Sequence, residues 1–399
     1  MPLGLSQMRC HAIDCGTLPV TVHVAQFQGQ GGVTEYHLMV RPTEYADVAT
    51  QMTWIDNAYQ GTLASLGLES DSAVLRRFFC SDLANQAAIL QTDAFTVTGS
   101  PEEDCAISWV CQPPLPPAKV ALWAYHLRVP EGTLAKRREG ASLACDRGEL
   151  SHRWTVGATC PGAGDSEEQT HGILQAYAAD LQAQGLHLAD HVLRTWFFVQ
   201  NIDANYHGLV KARREFFASH GLIQETHYIA STGIQGGAAE VNALVMMDAY
   251  AIAGVRPEQI CYLSAPDHLC PTHRYGVTFE RGVSIAFRDR THILISGTAS
   301  IDMTGSILHT GDVLKQLDRT LENVRALLQQ AGATFDDVCS AIVYVRDPSD
   351  LAIAQRALDE RCGDIPLQLV VAPVCRPGWL IEVECQAIIS ADNPELPAF

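Results

Sequence analysis

The chain has 399 residues, which is too long for one ordinary hydrophobic core, so two or three domains are expected. Hydrophobic residues make up 47% of the composition and charged residues 18%, as in ordinary soluble globular proteins. Acidic residues outnumber basic residues 45 to 27. This excess disfavours nucleic acid and anionic membranes as the main partners, because both select basic surfaces.

An amphipathic helix that ends at a glycine is followed by an apolar run of β-forming residues in three places along the chain. The glycines are Gly67, Gly185 and Gly332, and the apolar runs begin at Val74, Val192 and Val338. Each unit then closes with a second strand-like run. A helix-loop-strand unit that occurs three times predicts three similar α+β lobes that pack on one another.

These repeats divide the chain into lobes with expected boundaries. The first lobe is expected over residues 1–130, the second over 166–255 and the third over 270–399. Residues 131–165 contain charges, glycines and few apolar runs, so they are predicted to form a linker that includes at most one strand, at 152–156.

The cysteines and the first residues of the chain indicate the cellular compartment of the protein. Thirteen cysteines are scattered through strand-like runs and loops alike, which is typical of reduced thiols rather than a disulfide scaffold. Residues 1–10 lack the charged-then-apolar layout of a signal peptide, and no apolar run reaches membrane-spanning length. We therefore expect a cytoplasmic protein that does not bind a membrane.

Motifs for metals and nucleotides are weak. Cys10, His11 and Cys15, like Cys261 and Cys270, lack the paired spacing that structural zinc sites need. The sequence contains no HExxH, GxSxG or P-loop motif. No metal site is predicted.

The last strand of the third lobe carries an asymmetry. Alternation along this strand places Glu382 and Glu384 on one face, whereas the place of Glu382 is taken by Met246 in the second lobe and by Ala121 in the first. Packing alone does not require two carboxylates in only one of three copies. The alternative from the residues alone is a solvent-exposed sheet face that bears charges.

The second lobe supplies a basic feature. If residues 205–219 are helical, Tyr206, Arg213 and Phe216 share one stripe. An arginine inside an apolar stripe must find an anion, because its charge is retained at every working pH. That anion is either a ligand or a structural acid in a buried salt bridge.

The third lobe resembles the Rid/YjgF superfamily. The resemblance covers nearly the whole lobe, from 295–298 through Gly311, Asp312, Gln316 and Asn323 to 381–384. It implies a chorismate-mutase-like unit, a sheet with two helices on one face, of which three associate around a barrel core with ligand clefts between neighbours. Three such lobes imply a trimer fused into one chain, either a monomeric pseudo-trimer or a low-order homo-oligomer.

Within this superfamily the chain is most similar to the chorismatases. The shared stretches are Ser-Gly-Thr-Ala-Ser-Ile at 296–301 and a Cys-Arg ending that leads to a glutamate, here 375–382. The small enamine/imine deaminases of the superfamily bind the substrate carboxylate with an arginine shortly after a proline. Here that stretch reads Pro366-Leu367-Gln368, without the arginine.

The chorismatase resemblance implies a reaction and a set of residues. Glu382 would be the general acid that protonates the enol ether of chorismate, releasing pyruvate without a cofactor. In the family, a cysteine seven residues before the acid accompanies 3-hydroxybenzoate as the other product, rather than a dihydroxycyclohexadiene carboxylate, and Cys375 stands at that spacing. The residues expected to bind the small anionic substrate are Arg213, Tyr206, Arg346, Arg376, Gly297, Thr298 and Glu384.

Two alternatives remain open from the sequence. One is a Rid-type enamine/imine deaminase, because the cleft chemistry is alike. The other is a non-catalytic Rid protein that binds a small carboxylate, in which Glu382 would be dispensable.

Overall fold

In the computed structural model, which describes residues 8–93, 104–130 and 134–399, one arrangement of strands and helices occurs three times. Each sheet has six strands. Three antiparallel strands come first, and a helix, a fourth strand, a second helical connection and a fifth strand parallel to the fourth follow. The sixth strand returns between the third and the fourth, so the spatial order is 1-2-3-6-4-5 in every lobe. The predicted α+β fold of three similar lobes is confirmed.

The first lobe begins its main helix after Asp47, whose side chain accepts a hydrogen bond from the Thr50 backbone N–H, and ends it at Gly67 with a φ of 65°. The elements are β1 (Met8–Ile13), β2 (Val20–Gln28), β3 (Thr34–Pro42), α1 (Val48–Leu66), β4 (Ala73–Cys80), α2 (Leu83–Leu90), β5 (Ala106–Cys111) and β6 (Val120–Arg128).

The second lobe repeats this plan, and its main helix is capped by Asp165, which accepts from the N–H groups of Glu167 and Glu168. The elements are β7 (Ala135–Glu139), β8 (Ser142–Arg147), β9 (Leu150–Thr159), α3 (Ser166–Ala183), a short α4 (Leu188–His191), β10 (Val192–Val199), α5 (Ile202–Ser219), β11 (Ala230–Gln235) and β12 (Val245–Ala253).

The third lobe has its main helix capped by Asp312, which accepts from the Lys315 N–H. The elements are β13 (Ile260–Leu263), β14 (Gly282–Ala286), β15 (Arg290–Ala299), α6 (Val313–Gln330), β16 (Val338–Val345), α7 (Leu351–Cys362), β17 (Leu367–Val371) and β18 (Ile381–Ser390).

The predicted linker at 131–165 is wrong. Residues 135–159 form β7, β8 and β9, the first three strands of the second sheet, and β9 pairs with β12. The edge strand β7 is polar and largely exposed, as edge strands often are, and its composition therefore reads as a connection. The third sheet begins before residue 270, because the short strand β13 lies at Ile260–Leu263 and pairs with β14. Residues 1–7, which include most of the stretch compared with a signal peptide, lie outside the described residues.

The three sheets share one apolar core, to which Trp123, Trp196 and Tyr344 contribute one large side chain from each lobe. Consecutive lobes meet cyclically: β5 lies beside β9, β11 beside β15, and β16 beside β2. The predicted barrel core is not confirmed. Within the described ranges the three sheets stay separate, and backbone pairing between them is limited to isolated bridges such as Ala230 to Glu280.

A buried acid joins the second lobe to the first. Asp248 on β12 accepts hydrogen bonds from the Arg77 guanidinium (2.8 Å) and the Ser108 hydroxyl (2.6 Å), both in the first lobe. It also accepts from the Gly157 N–H at 2.8 Å. Each oxygen of the carboxylate is therefore paired, which offsets the cost of removing the charge from water.

The described part of the chain contains neither a candidate membrane-spanning helix nor a candidate metal-binding cluster. None of its helices combines the length and the apolar character that crossing a bilayer requires. Nor does it bring three or more His, Cys, Asp or Glu side chains together in a group that could hold a metal ion.

We predict that Asp248→Ala destabilises the protein by about 3–5 kcal/mol, because it leaves the buried Arg77 charge without its carboxylate. The measurement is the free energy of unfolding in urea. Asp146→Ala is the matched control, since it breaks the exposed pair with Arg137 and should cost at most about 1 kcal/mol. Equal losses in the two variants would show that the Asp248 junction is not a main support of the fold.

Candidate active site

A cleft opens where α5 and β11 of the second lobe face β15 and β18 of the third. Its empty volume is about 510 Å³, which includes the space that opens to solvent at its mouth. It brings together six of the nine site residues predicted from the sequence: Tyr206, Arg213, Gly297, Cys375, Arg376 and Glu382.

Glu382 is placed by the second position of β18, between Ala299 on β15 and Tyr344 on β16. Only 5% of its surface is exposed. Its carboxyl fills the space beside Gly297, where a Cβ would lie 2.2 Å from the Glu382 Oε1 atom. A glycine is therefore needed at 297 because any side chain there would displace the carboxyl.

The protonation state of Glu382 follows from its surroundings. Burial is the main reason that its pKa rises to about 8, and the charge of Glu384 raises it further. Arg281 and Arg194 act in the opposite direction without cancelling these effects. At neutral pH the carboxyl is therefore mostly protonated and able to donate its proton.

Cys375 lies in the loop that leads to β18 and lines the same cleft. Burial raises the pKa of its thiol to about 12, and the nearby charge of Glu382 adds to this rise. A hydrogen bond with Tyr206 lowers the pKa only partly. The group is therefore a neutral thiol at working pH, not a nucleophilic thiolate.

Arg213 reaches the cleft from α5, and its side chain is fully buried, as the apolar stripe on this helix predicted. Its Nη1 atom donates to the Ser231 hydroxyl at 3.4 Å, and its guanidinium lies 5.8 Å from the centre of the Phe197 ring. The fixed charge therefore sits on the wall of the cleft, where it favours an anionic ligand.

Two further arginines line the cleft from the third lobe. The Arg376 guanidinium lies 5.2 Å from the centre of the Trp379 ring. The Arg281 Nη2 atom donates to the Cys270 carbonyl at 2.8 Å. Three cations thus surround one neutral carboxyl, which suits a ligand with more than one negative charge although the whole chain has a formal charge of −18.

Two predicted residues lie elsewhere. Arg346, expected to bind a substrate carboxylate, forms an ion pair with Asp203 and donates to the Val374 carbonyl at 2.8 Å. It fixes the loop that precedes Cys375 rather than lining the cleft. Thr298 is fully buried and donates to the Ser296 carbonyl at 2.9 Å, so its hydroxyl serves the strand.

Glu384 also differs from its predicted role as a substrate ligand. Its carboxylate accepts hydrogen bonds from the Arg194 guanidinium (2.7 Å), the Trp196 indole (2.8 Å) and the Thr232 hydroxyl, all in the second lobe. Strand register puts it at the same position of its lobe as Asp248, which forms the equivalent junction. Glu384 is a junction between lobes that reaches the cleft only through its charge.

Sequence reasoning missed several lining residues, among them Ser231, Thr232, Phe279, Arg281 and Trp379. The sequence could have indicated Arg281. This arginine directly precedes the apolar strand β14, and a cation in such surroundings needs an anion, as Arg213 does. The other four became visible only with the packing of two lobes.

Comparisons with known proteins agree with this architecture. The family model of Endoribonuclease L-PSP matches residues 280–389. A RutC family protein of Pyrococcus abyssi is 30% identical over 105 residues, which is 26% of this chain and 83% of that protein. A RutC family protein of Pyrococcus horikoshii is 32% identical over 106 residues, with the same coverage of each chain.

A solved structure extends the similarity to the whole fold. The crystal structure of a chorismatase superposes with a TM-score of 0.61 over 96% of this chain and 99% of that chain. The two sequences are 17% identical over this alignment, so the likeness is one of fold.

We predict that Glu382→Gln stabilises the protein relative to wild type as the pH rises from about 5 to about 8. Below the usual carboxyl value of 4.5, folded and unfolded Glu382 are both protonated. Between 4.5 and about 8 only the unfolded chain releases the proton, so wild-type stability falls by at most about 1.4 kcal/mol per pH unit. Above about 8 both states are ionised and the difference levels off.

Unfolding free energies of the two proteins, measured from pH 4 to pH 9, test this prediction. Glu360→Gln, at a side chain that is 79% exposed, is the control and should follow the wild type. A constant difference between Glu382→Gln and wild type across this range would mean that the pKa of Glu382 is not raised.

Proposed function

Because this chain belongs to the Rid/YjgF family of endoribonuclease L-PSP and RutC proteins and has the fold of a chorismatase, we propose that it cleaves the enolpyruvyl ether of chorismate by general-acid catalysis. The observation that carries the proposal is a protonated, buried Glu382 in a cleft lined by arginines. The same strand position holds Met246 and Ala121 in the other lobes, so this carboxyl is not a requirement of the fold.

Substrate binding depends on local charge. Chorismate carries two carboxylates, and a chain with a formal charge of −18 repels it at long range. Arg213 from the second lobe and Arg376 from the third are the proposed partners of the two carboxylates. Tyr206 and the apolar surfaces of Phe279 and Trp379 then enclose the ring.

Bond cleavage begins when Glu382 transfers its proton to the methylene carbon of the enol ether. The positive charge that develops on the ether carbon weakens the bond between the ring and the ether oxygen, and the side chain leaves as pyruvate. The carboxylate formed on Glu382 is held between Arg281 and Arg194, whose charges favour its ionised form. A ring proton released later can restore the acid.

The second product depends on what displaces the side chain. If the neighbouring ring hydroxyl does so and a ring proton is then lost, 3-hydroxybenzoate and pyruvate together contain the atoms of chorismate and no water is consumed. If water attacks instead, a dihydroxycyclohexadiene carboxylate forms. A neutral, half-buried Cys375 beside the ring occupies space that a water molecule would need, which favours the first route.

Enamine hydrolysis is the second candidate, because a neutral Glu382 would protonate the methylene carbon of an enamine in the same way. The arginine that follows the proline in the small deaminases is absent here, where Leu367 and Gln368 follow Pro366. Incubation with chorismate and with an enamine separates the two functions: pyruvate is released from chorismate by the first, and ammonia from the enamine by the second.

We predict that Glu382→Gln lowers the rate of pyruvate release from chorismate about a hundredfold or more, because the amide keeps the shape but has no acidic proton. The wild-type rate should fall as the pH rises through about 8, where Glu382 loses its proton. A coupled lactate dehydrogenase assay measures both effects, with Glu360→Gln as the control. An unchanged rate in Glu382→Gln would leave this protein as a binding protein or an enzyme with another acid.

We also predict that Cys375→Ala shifts the products toward the dihydroxycyclohexadiene carboxylate while pyruvate release continues. The smaller side chain admits water beside the ring and removes the thiol that favours intramolecular displacement. Chromatography measures the ratio of 3-hydroxybenzoate to the dihydroxycyclohexadiene carboxylate. If the wild-type enzyme forms no aromatic acid from chorismate, Cys375 does not have this role.

A further inference from the structure

A second cleft lies between the third and the first lobes. Its empty volume is about 420 Å³, and β2 and β3 form one wall while α7 and β17 form the other. The polar side chains that line it are Thr21, His23, Arg41, Gln355, Asp359 and Gln368. The lining of this cleft therefore contains both a cation and an acid.

Strand register relates this cleft to the candidate active site. Ala121 on β6 occupies the position of Glu382 on β18, since each lies one residue beyond the first residue pair with its neighbouring strand. On the adjoining strand, Val40 corresponds to Thr298, so Arg41 takes the position of Ala299. At the positions equivalent to Glu382 and Ala299 in the first cleft, the second cleft therefore has Ala121 and Arg41.

The other wall corresponds equally well. Gln368 pairs with β16 as Thr232 pairs with β10. Gln355 is the fifth residue of α7, as Tyr206 is the fifth residue of α5. Both glutamines line the second cleft and both counterparts line the first.

Arg41 carries the only cation of this lining that is charged at every working pH. Its side chain is half-buried, and burial lowers its pKa while Asp359 acts against that shift. Among the described residues, its guanidinium forms no hydrogen bond and no ion pair within 4 Å. A half-buried guanidinium whose five donors have no partner in the described part of the chain favours a carboxylate ligand.

Asp359 lies at the exposed end of the cleft, where it accepts a hydrogen bond from the Gln355 amide at 2.7 Å. It would repel a second carboxylate and attract an ammonium group. The apolar part of the lining consists of Met39, Ile365 and Leu367. The cleft therefore offers a place for a carboxylate, an ammonium group and an apolar side chain.

We propose that this second cleft binds an α-amino acid with an apolar side chain, whose carboxylate is held by Arg41 and whose ammonium group faces Asp359. Because Ala121 replaces the acid, the site binds its ligand without transforming it. This inference is independent of the reaction proposed for the first cleft, since it rests on the lining of the second.

Calorimetric titration of the full chain with three probes tests the proposal. L-Leucine carries both a carboxylate and an ammonium group. The second probe, 4-methylpentanoate, lacks the ammonium group, and the third, 3-methylbutylamine, lacks the carboxylate. We expect leucine to bind best, 4-methylpentanoate more weakly and the amine not at all. Arg41→Gln should weaken leucine binding at least about tenfold.

Asp359→Asn is the matched variant and should remove the advantage of leucine over 4-methylpentanoate. Melting temperatures of both variants show that they fold. The proposal is overturned if none of the probes binds at about ten millimolar, or if Arg41→Gln binds leucine as the wild type does, since the binding would then lie at the arginines of the first cleft. Equal binding of leucine and 4-methylpentanoate to the wild type would overturn the assignment of an amino acid.

Discussion

The three lobes depend on a carboxylate that is carried on the last strand of one lobe and neutralised by the lobe before it. Asp248 does this with Arg77 and Ser108, and Glu384 does it with Arg194 and Thr232. A buried charge is tolerable only with such partners, so each junction fixes the angle between two sheets as well as their contact. The equivalent position on the last strand of the first lobe holds Trp123 instead of an acid, and Trp123 packs in the shared core.

The candidate active site follows from one of these junctions. Glu384 forms an ion pair with Arg194, and it lies two residues from Glu382 on the same face of β18. The Glu382 carboxyl beside it keeps its proton mainly because burial disfavours the charged form, and the negative charge of Glu384 adds to this effect. The contact that joins the second and third lobes thus also contributes to the protonation of the proposed acid. Of these two neighbouring glutamates, Glu384 joins two lobes and Glu382 is the proposed acid.

Much of this arrangement was readable from the sequence because it repeats. The glycines that end the helices appear with φ values of 65° at Gly67 and 78° at Gly332, and Glu382 drew attention because it breaks the repeat. What the sequence could not supply is pairing between distant residues. Asp203, the partner of Arg346, is 143 positions away, and β7 is polar because it is an edge strand. Composition does not distinguish an arginine that meets a ligand from one that meets an aspartate, or an edge strand from a linker.

Gly297 illustrates what covalent fusion of three units makes possible. In an assembly of three identical chains, each substitution appears in every cleft, so a glycine that admits a carboxyl and the carboxyl itself would be present three times. Three buried acids would each lower stability near neutral pH. In the fused chain a mutation alters one cleft alone, and the neighbouring clefts are free to keep apolar residues such as Met246 or to acquire others such as Arg41. The clefts of this chain accordingly carry different side chains at equivalent positions of the three lobes.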